Sequence, residues 1–84
     1  MHNLIQRRIA VTPDWQPLTA ESLVASVDLS CPPMNAGVVF FQGDDGSEVP
    51  WIPGEWHQFA HVDLSAIRIR GTPGDAVTVI GGTW

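Results

Sequence analysis

The stretch Ser22–Cys31 constrains the fold of this chain more than any other, because its side chains alternate in character. Successive side chains of an extended backbone point to opposite sides, so alternation over ten residues is typical of a strand with one buried face. An α-helix would mix the two sets around its circumference. We therefore predict a β-strand here. Its core-facing set is Leu23, Ala25, Val27, Leu29 and Cys31, and its solvent-facing set is Ser22, Val24, Ser26, Asp28 and Ser30.

Turn residues interrupt the rest of the chain about every 8–12 residues, a spacing typical of sandwiches and barrels. The apolar or alternating segments between them predict further strands, and the stretch 14–20 is predicted as a loop. We predict a single all-β domain over residues 1–84, a β-sandwich or jelly-roll-like barrel of about seven short antiparallel strands. The further strand segments are Leu4–Thr12, Val38–Gln42, Trp56–Leu64, Ile67–Arg70 and Ala76–Ile80.

The first hairpin register follows from Asp45-Gly46, a pair suited to a two-residue type I′ turn. A turn of that length places Phe40 opposite Trp51. The resulting aromatic pair would contribute about 0.5–1.5 kcal/mol beyond its burial.

The last hairpin register follows from the need to bury one face. A three-residue loop, Pro73–Asp75, pairs Ile69 with Val79 on a common apolar face. A two-residue loop would instead set arginines opposite valines. We therefore predict the odd-length loop.

Composition narrows the function classes. Apolar residues at 44% and charged residues at 15% indicate a folded chain, although 84 residues give only a thin core. The formal charge of −5, with four arginines and no lysine, argues against nucleic-acid binding, which relies on basic patches.

The sequence has no apolar run of about 18 residues, so we expect no membrane span. Met1–Arg8 lacks the apolar stretch of a secretory signal.

The sequence lacks phosphate-binding loops and the common hydrolase and metalloprotease motifs. Cys31 is the single cysteine, which excludes an internal disulfide and predicts a buried thiol. His57 and His61 would stand about 13 Å apart on a regular strand, too far to share one metal ion. Asp63 and Asp75 are explained by a local turn cap and a Pro-Gly turn. We predict a non-enzymatic protein without catalytic residues, metal or cofactor.

The chain is unusually rich in tryptophan, with four in 84 residues and no tyrosine. Three interpretations stay open: all of them lie in or near the core, some anchor a neighbouring subunit, or exposed indoles stack on sugars. A small acidic domain with strands that are apolar on both faces suits a subunit that buries surface against neighbours. We predict partner binding by the four tryptophans and the paired N-terminal arginines: Trp15, Trp51, Trp56, Trp84, Arg7 and Arg8.

Three segments carry a likeness to known proteins: Phe41–Ser47, Ile52–Glu55 and, above all, Val62–Gly82. Through these residues the stretch Gly43–Trp84, together with Ser22–Gly37, resembles small accessory virion proteins of tailed bacteriophages, which are short β-sandwich chains that decorate capsids or form other head or tail parts. The resemblance covers about two-thirds of the chain. The resemblance implies a capsid decoration or cement protein that forms homo-oligomers, with a trimer as one candidate. It also implies binding to major capsid subunits at the virion head surface, after synthesis in the host cytoplasm.

Other functions stay open at this point. A different virion component, at the head–tail junction or in a tail fibre, differs from a decoration protein only in its location on the particle. A carbohydrate-binding module would use Trp51 or Trp56 as a monomer. An enzyme would lose turnover on replacement of Asp63, His57 or His61.

Overall fold

Two four-stranded antiparallel sheets face each other in the computed structural model, which describes residues 3–83. The order is β1-β8-β3-β6 in the first sheet and β2-β7-β4-β5 in the second. This confirms the predicted all-β sandwich. The strands are β1 Asn3–Ala10, β2 Gln16–Pro17, β3 Val24–Ser30, β4 Val39–Gln42, β5 Val49–Trp51, β6 Trp56–Asp63, β7 Arg68–Arg70 and β8 Ala76–Thr83, with a 3-10 turn at Leu64–Ala66.

The alternation in β3 is confirmed. Ala25, Val27 and Leu29 are at most 2% exposed, and Cys31 is fully buried just beyond the strand. The strand lies between β8 and β6, so its inward face meets the second sheet. The rest of the core comes from both sheets and the 3-10 turn: Ile5, Val11, Leu18, Val39, Phe41, Trp51, Leu64, Ile69, Val77 and Val79.

The register predicted for the first hairpin is wrong by one residue. Val39 pairs with Trp51, and Phe40 pairs with Pro50. A type I′ turn requires positive φ at both central residues, whereas only Gly46 of the Asp45-Gly46 pair has one, at 79°. The longer loop keeps Val39 and Trp51 together in the core, whereas the predicted register would have paired Trp51 with the outward-facing Phe40.

The predicted pairing of Ile69 with Val79 is also wrong, because β7 and β8 belong to different sheets. Both side chains are fully buried, but they reach the core from opposite layers. The Pro-Gly turn forms as expected, with Asp75 N donating to Thr72 O at 3.1 Å and Gly74 at φ 99°. Here the turn carries the chain across the sandwich instead of closing a hairpin.

Strand β6 contains a bulge that sequence reasoning did not place. Val62 pairs with Ala25 and Phe59 with Val27, so two residues of β6 oppose Ser26 alone. His61, in this bulge, has φ 52° and its backbone N–H donates to Ser26 Oγ at 3.2 Å. The extra residue turns both Phe59 and Val62 inward. His61 therefore does not share the face of His57, contrary to the expectation for a regular strand.

Asp63 connects the end of β6 to the loop before β3 through hydrogen bonds. Its carboxylate accepts hydrogen bonds from Ser22 Oγ at 2.7 Å, Leu23 N at 3.1 Å, and Ser65 N and Oγ at 3.0 and 2.8 Å. This confirms the predicted turn cap. The bonds from Ser22 and then Ser65 lower the pKa of Asp63 from 3.8 to about 2.

A carboxyl whose pKa is lower when folded stabilises the protein above its unfolded pKa and loses that effect as the pH falls. The wild-type chain is expected to lose stability between pH 4 and pH 2, since the pKa of Asp63 is 3.8 when unfolded and about 2 when folded. We expect Asp63→Asn to make this loss smaller. Urea unfolding midpoints measured across this range test it. The exposed Asp44→Asn variant is the control, and an acid dependence unchanged by Asp63→Asn would contradict the prediction.

Candidate protein-interaction surface

The outward face of the β1-β8-β3-β6 sheet carries four large apolar side chains that solvent reaches. One of them, Val24, is 54% exposed and lies at the start of β3. The other three lie further along the sheet. Leu4, Ile80 and Trp56 are 62%, 50% and 61% exposed. They lie in three successive cross-strand rows, so together they form a diagonal, which we call the apolar stripe. The rows are Leu4–Gly82–Ser26, Gln6–Ile80–Asp28–Gln58 and Arg8–Thr78–Ser30–Trp56.

Shallow grooves lie on both sides of Ile80. One, of about 390 Å3, separates Ile80 from Trp56 and has Asp28 and Ser30 in its wall. The other, of about 300 Å3, separates Ile80 from Leu4. Ile80 is thus a ridge between two recesses, with Trp56 and Leu4 on their far sides, and side chains of a partner surface fit into this relief.

The charges on this face cancel. Away from the strand ends it carries Arg8 and Asp28, one of each sign, in a chain of net charge −5. Ser30 and Thr78 hydrogen-bond to each other through their hydroxyls at its centre. A second copy or another acidic protein therefore approaches this face without the repulsion that the rest of the chain exerts.

The structure separates the predicted partner-binding residues. Trp56 and Arg8 lie at opposite ends of one row of the outward face, and Arg7 is exposed on β1. Trp51 is 5% exposed and belongs to the core, where its ring stacks on Phe41 with centroids 3.7 Å apart. Trp84 lies outside the described residues.

Trp15 belongs to a cluster on the second sheet. The Arg70 guanidinium lies 5.2 Å from the Trp15 ring centroid and 4.7 Å from that of Phe40. It also forms an ion pair with Glu48 at 2.5 Å. Because Arg70 is engaged on three sides, this cluster ties two loops to β7 and leaves little free binding capacity there.

Leu4 and Ile80 were missed by sequence reasoning. The signal was present for Ile80, since Val77 and Val79 alternate as the inward residues of β8. Likewise Leu4 precedes the inward Ile5. Nothing in the sequence, however, indicated that β1 and β8 are neighbours, so the two could not be placed on one surface.

The residues considered for acid–base chemistry do not converge. His57 Nε2 lies 2.7 Å from Glu55 Oε2 at the start of β6, and its hydrogen bond lowers the pKa of Glu55. Asp63 is engaged at the opposite end of that strand. Burial raises the pKa of the Cys31 thiol, as expected of a structural cysteine. Within residues 3–83, no three His, Cys, Asp or Glu side chains cluster so as to hold a metal ion.

No family model, curated protein or solved structure matches this chain. In the part of the chain that the structure describes, no helix has the length and apolar character needed to cross a membrane.

Proposed function

We propose that this chain is a non-enzymatic structural subunit of a virion, a capsid decoration protein that self-associates and binds major capsid subunits at the head surface. The observation that carries the proposal is the apolar stripe of Leu4, Ile80 and Trp56 on an outward sheet face where, away from the strand ends, the charges of Arg8 and Asp28 cancel. The resemblance of segments 41–47, 52–55 and 62–82 to accessory virion proteins supports the proposal that the chain belongs to a virion. A head–tail or tail-fibre component would use the same surface at a different place.

The stripe has the chemistry of a contact centre. Burying a large apolar side chain contributes about 1.5–3 kcal/mol relative to full exposure, and these three are half to two-thirds exposed. Tryptophan is enriched among the few residues that dominate interface energies. Arg8, Asp28 and Gln58 around the stripe supply the polar surroundings that set register. We therefore assign Trp56 as the anchor of the contact.

We expect Trp56→Ala to weaken self-association at least tenfold, because truncating an interface anchor typically costs about 2 kcal/mol or more. Sedimentation velocity across a concentration series measures the effect. The wild-type thermal midpoint rises with concentration if the folded chain associates. Met34→Ala is the matched control, since Met34 is 96% exposed and lies off this sheet.

Binding of the chain to purified native capsids, measured by co-sedimentation and imaging, tests whether the capsid is its partner. We expect wild-type chain and Met34→Ala to bind and Trp56→Ala to lose binding. A wild-type chain that stays monomeric at all concentrations and binds no capsid would contradict the proposal. So would a Trp56→Ala variant that assembles normally.

A carbohydrate-binding module is the second candidate, favoured by one observation. The exposed Trp56 indole stands beside the hydroxyl of Ser30 and the amide of Gln58, and Asp28 lines the adjoining groove. Trp51 is buried and does not offer a second stacking platform. A monomer whose fluorescence shifts with oligosaccharides, and whose shift disappears in Trp56→Ala, would support this function over assembly.

A further inference from the structure

The sandwich has four edge strands, and three of them carry features that hinder pairing with another strand. Strand β2 has two residues and ends at Pro17, and β5 has three residues with Pro50 in the middle. Strand β6 is interrupted by the bulge at His61. Strand β1 has eight residues, contains no proline and pairs with β8 in an unbroken register. An edge of this kind is a template for strand addition.

The backbone groups at the free edge of β1 can be identified. Asn35 Oδ1 accepts from Ala76 N at 3.0 Å, and Asn35 Nδ2 donates to Ala76 O at 2.8 Å, so both groups of Ala76 point away from β1. Ala10, which pairs with Ala76, accordingly directs its carbonyl outward, where Gln16 Nε2 donates to it at 2.6 Å. Backbone groups alternate along an antiparallel strand. Those facing outward therefore belong to Leu4, Gln6 and Arg8.

Two arginines flank this edge. Arg7 and Arg8 are consecutive, so their exposed side chains lie on opposite faces of the sheet. Neither takes part in the ion pairs formed within residues 3–83, which join His57 to Glu55 and Arg70 to Glu48. Arg7 also lines a recess of about 350 Å3 beside residues 19–23. A strand added to β1 would thus have a guanidinium group on each side.

These charges disfavour a second copy of β1 as the partner. A two-fold antiparallel pair centred on Arg7 sets Arg7 directly opposite its counterpart. A pair centred on Gln6 sets the two Arg7 side chains diagonally, within reach of long side chains. The same charges favour a strand that carries carboxylates.

We propose that the free edge of β1 binds an extended acidic segment of a different polypeptide by strand addition. Main-chain hydrogen bonds to Leu4, Gln6 and Arg8 supply the affinity, and carboxylates beside Arg7 and Arg8 supply the selectivity. Two adjacent acidic residues of the partner point to opposite faces of its strand, which matches the two arginines. This site lies at the edge of the sheet. It shares Leu4 and Arg8 with the apolar stripe and its surroundings but does not include Ile80 or Trp56.

The probe is an octapeptide of alternating valine and threonine with two adjacent central glutamates, compared with the same peptide carrying glutamines. NMR titration of the 15N-labelled chain is expected to shift the amide signals of Leu4, Gln6 and Arg8 more than those of Ile5 and Ile9, which face β8. We expect the glutamate peptide to bind about fivefold more tightly than the glutamine peptide, as two exposed ion pairs allow. High salt is expected to remove the difference.

Variants of β1 test the main-chain hydrogen bonds and the charge attraction separately. Gln6→Pro removes an outward N–H without removing a bond to β8 and is expected to weaken both peptides about fivefold, whereas Gln6→Ala leaves affinity unchanged. Arg7→Gln with Arg8→Gln is expected to abolish the preference for glutamate.

Several outcomes would overturn the proposal. They are equal affinity of the two peptides, peptide-induced shifts centred away from β1, and pairing of β1 with itself in the absence of peptide. If Gln6→Pro does not fold, the shift map of the wild-type chain decides the matter. Loss of assembly in Trp56→Ala with retained peptide binding separates this site from the proposed function.

Discussion

Replacement of Trp51 by alanine is expected to lower the free energy of unfolding by about 3–5 kcal/mol, the range for truncating a buried large aromatic residue. The indole is 5% exposed, stacks on Phe41 and lies with its ring centroid 6.4 Å from that of Phe59. It thus links β5 to strands of both sheets. Domains of this kind are stable by about 5–15 kcal/mol, so the variant approaches the limit of folding. Urea unfolding followed by circular dichroism measures the change.

Trp56→Ala is the control for this experiment, at a concentration where the chain is monomeric. Trp56 is 61% exposed, and exposed substitutions usually stay within about 0.5 kcal/mol. We therefore expect Trp51→Ala to change stability, and Trp56→Ala to change the proposed self-association but not stability. Equal destabilisation by both variants would refute this division.

Gly81→Ala is expected to destabilise the chain by about 3 kcal/mol, the upper part of the usual range for overpacking. A Cβ atom at Gly81 would lie 2.1 Å from Ser26 O and 2.7 Å from Val27 Cα. Both obstacles are backbone atoms of the neighbouring strand β3, so relief requires β8 and β3 to move apart. Thermal and urea unfolding of the variant measure the loss.

Gly43→Ala is the matched control, since a Cβ atom at Gly43 meets nothing within 4 Å. We expect its effect to stay within about 0.5 kcal/mol. A Gly81→Ala variant as stable as Gly43→Ala would show that β8 and β3 can separate at Gly81 without loss of stability.

Local patterns were sufficient to predict the fold class. The alternation in β3 needed ten residues of sequence and no knowledge of its neighbours, because side-chain direction depends only on an extended backbone. The Pro-Gly turns were equally local, since Gly54 and Gly74 supply the positive φ values of 90° and 99°. The capping role of Asp63 followed from its position beside Ser65.

Strand pairing was not predictable from the same patterns. Ile69 and Val79 were correctly expected to be buried, but burial is satisfied equally by a hairpin and by two facing layers. The bulge at His61 depends on Ser26 of another strand. These choices are made by contacts between segments distant in sequence.

The same limit applies to the candidate surface. Trp51 and Trp56 are only five residues apart, yet one is buried and the other exposed. Strand β5 has only three residues, too few for alternation to distinguish its faces. The apolar stripe draws its members from three strands, of which two pair across almost the whole sequence.

Strand β8 lies between β1 and β3, so residues near one end of the described chain separate strands from its beginning and middle. During synthesis β1 lacks its partner strand, and β3 lacks one of its two partner strands, until residues 76–83 leave the ribosome. The first sheet is therefore complete only after translation has passed β8, because β8 joins β1 to the rest of that sheet.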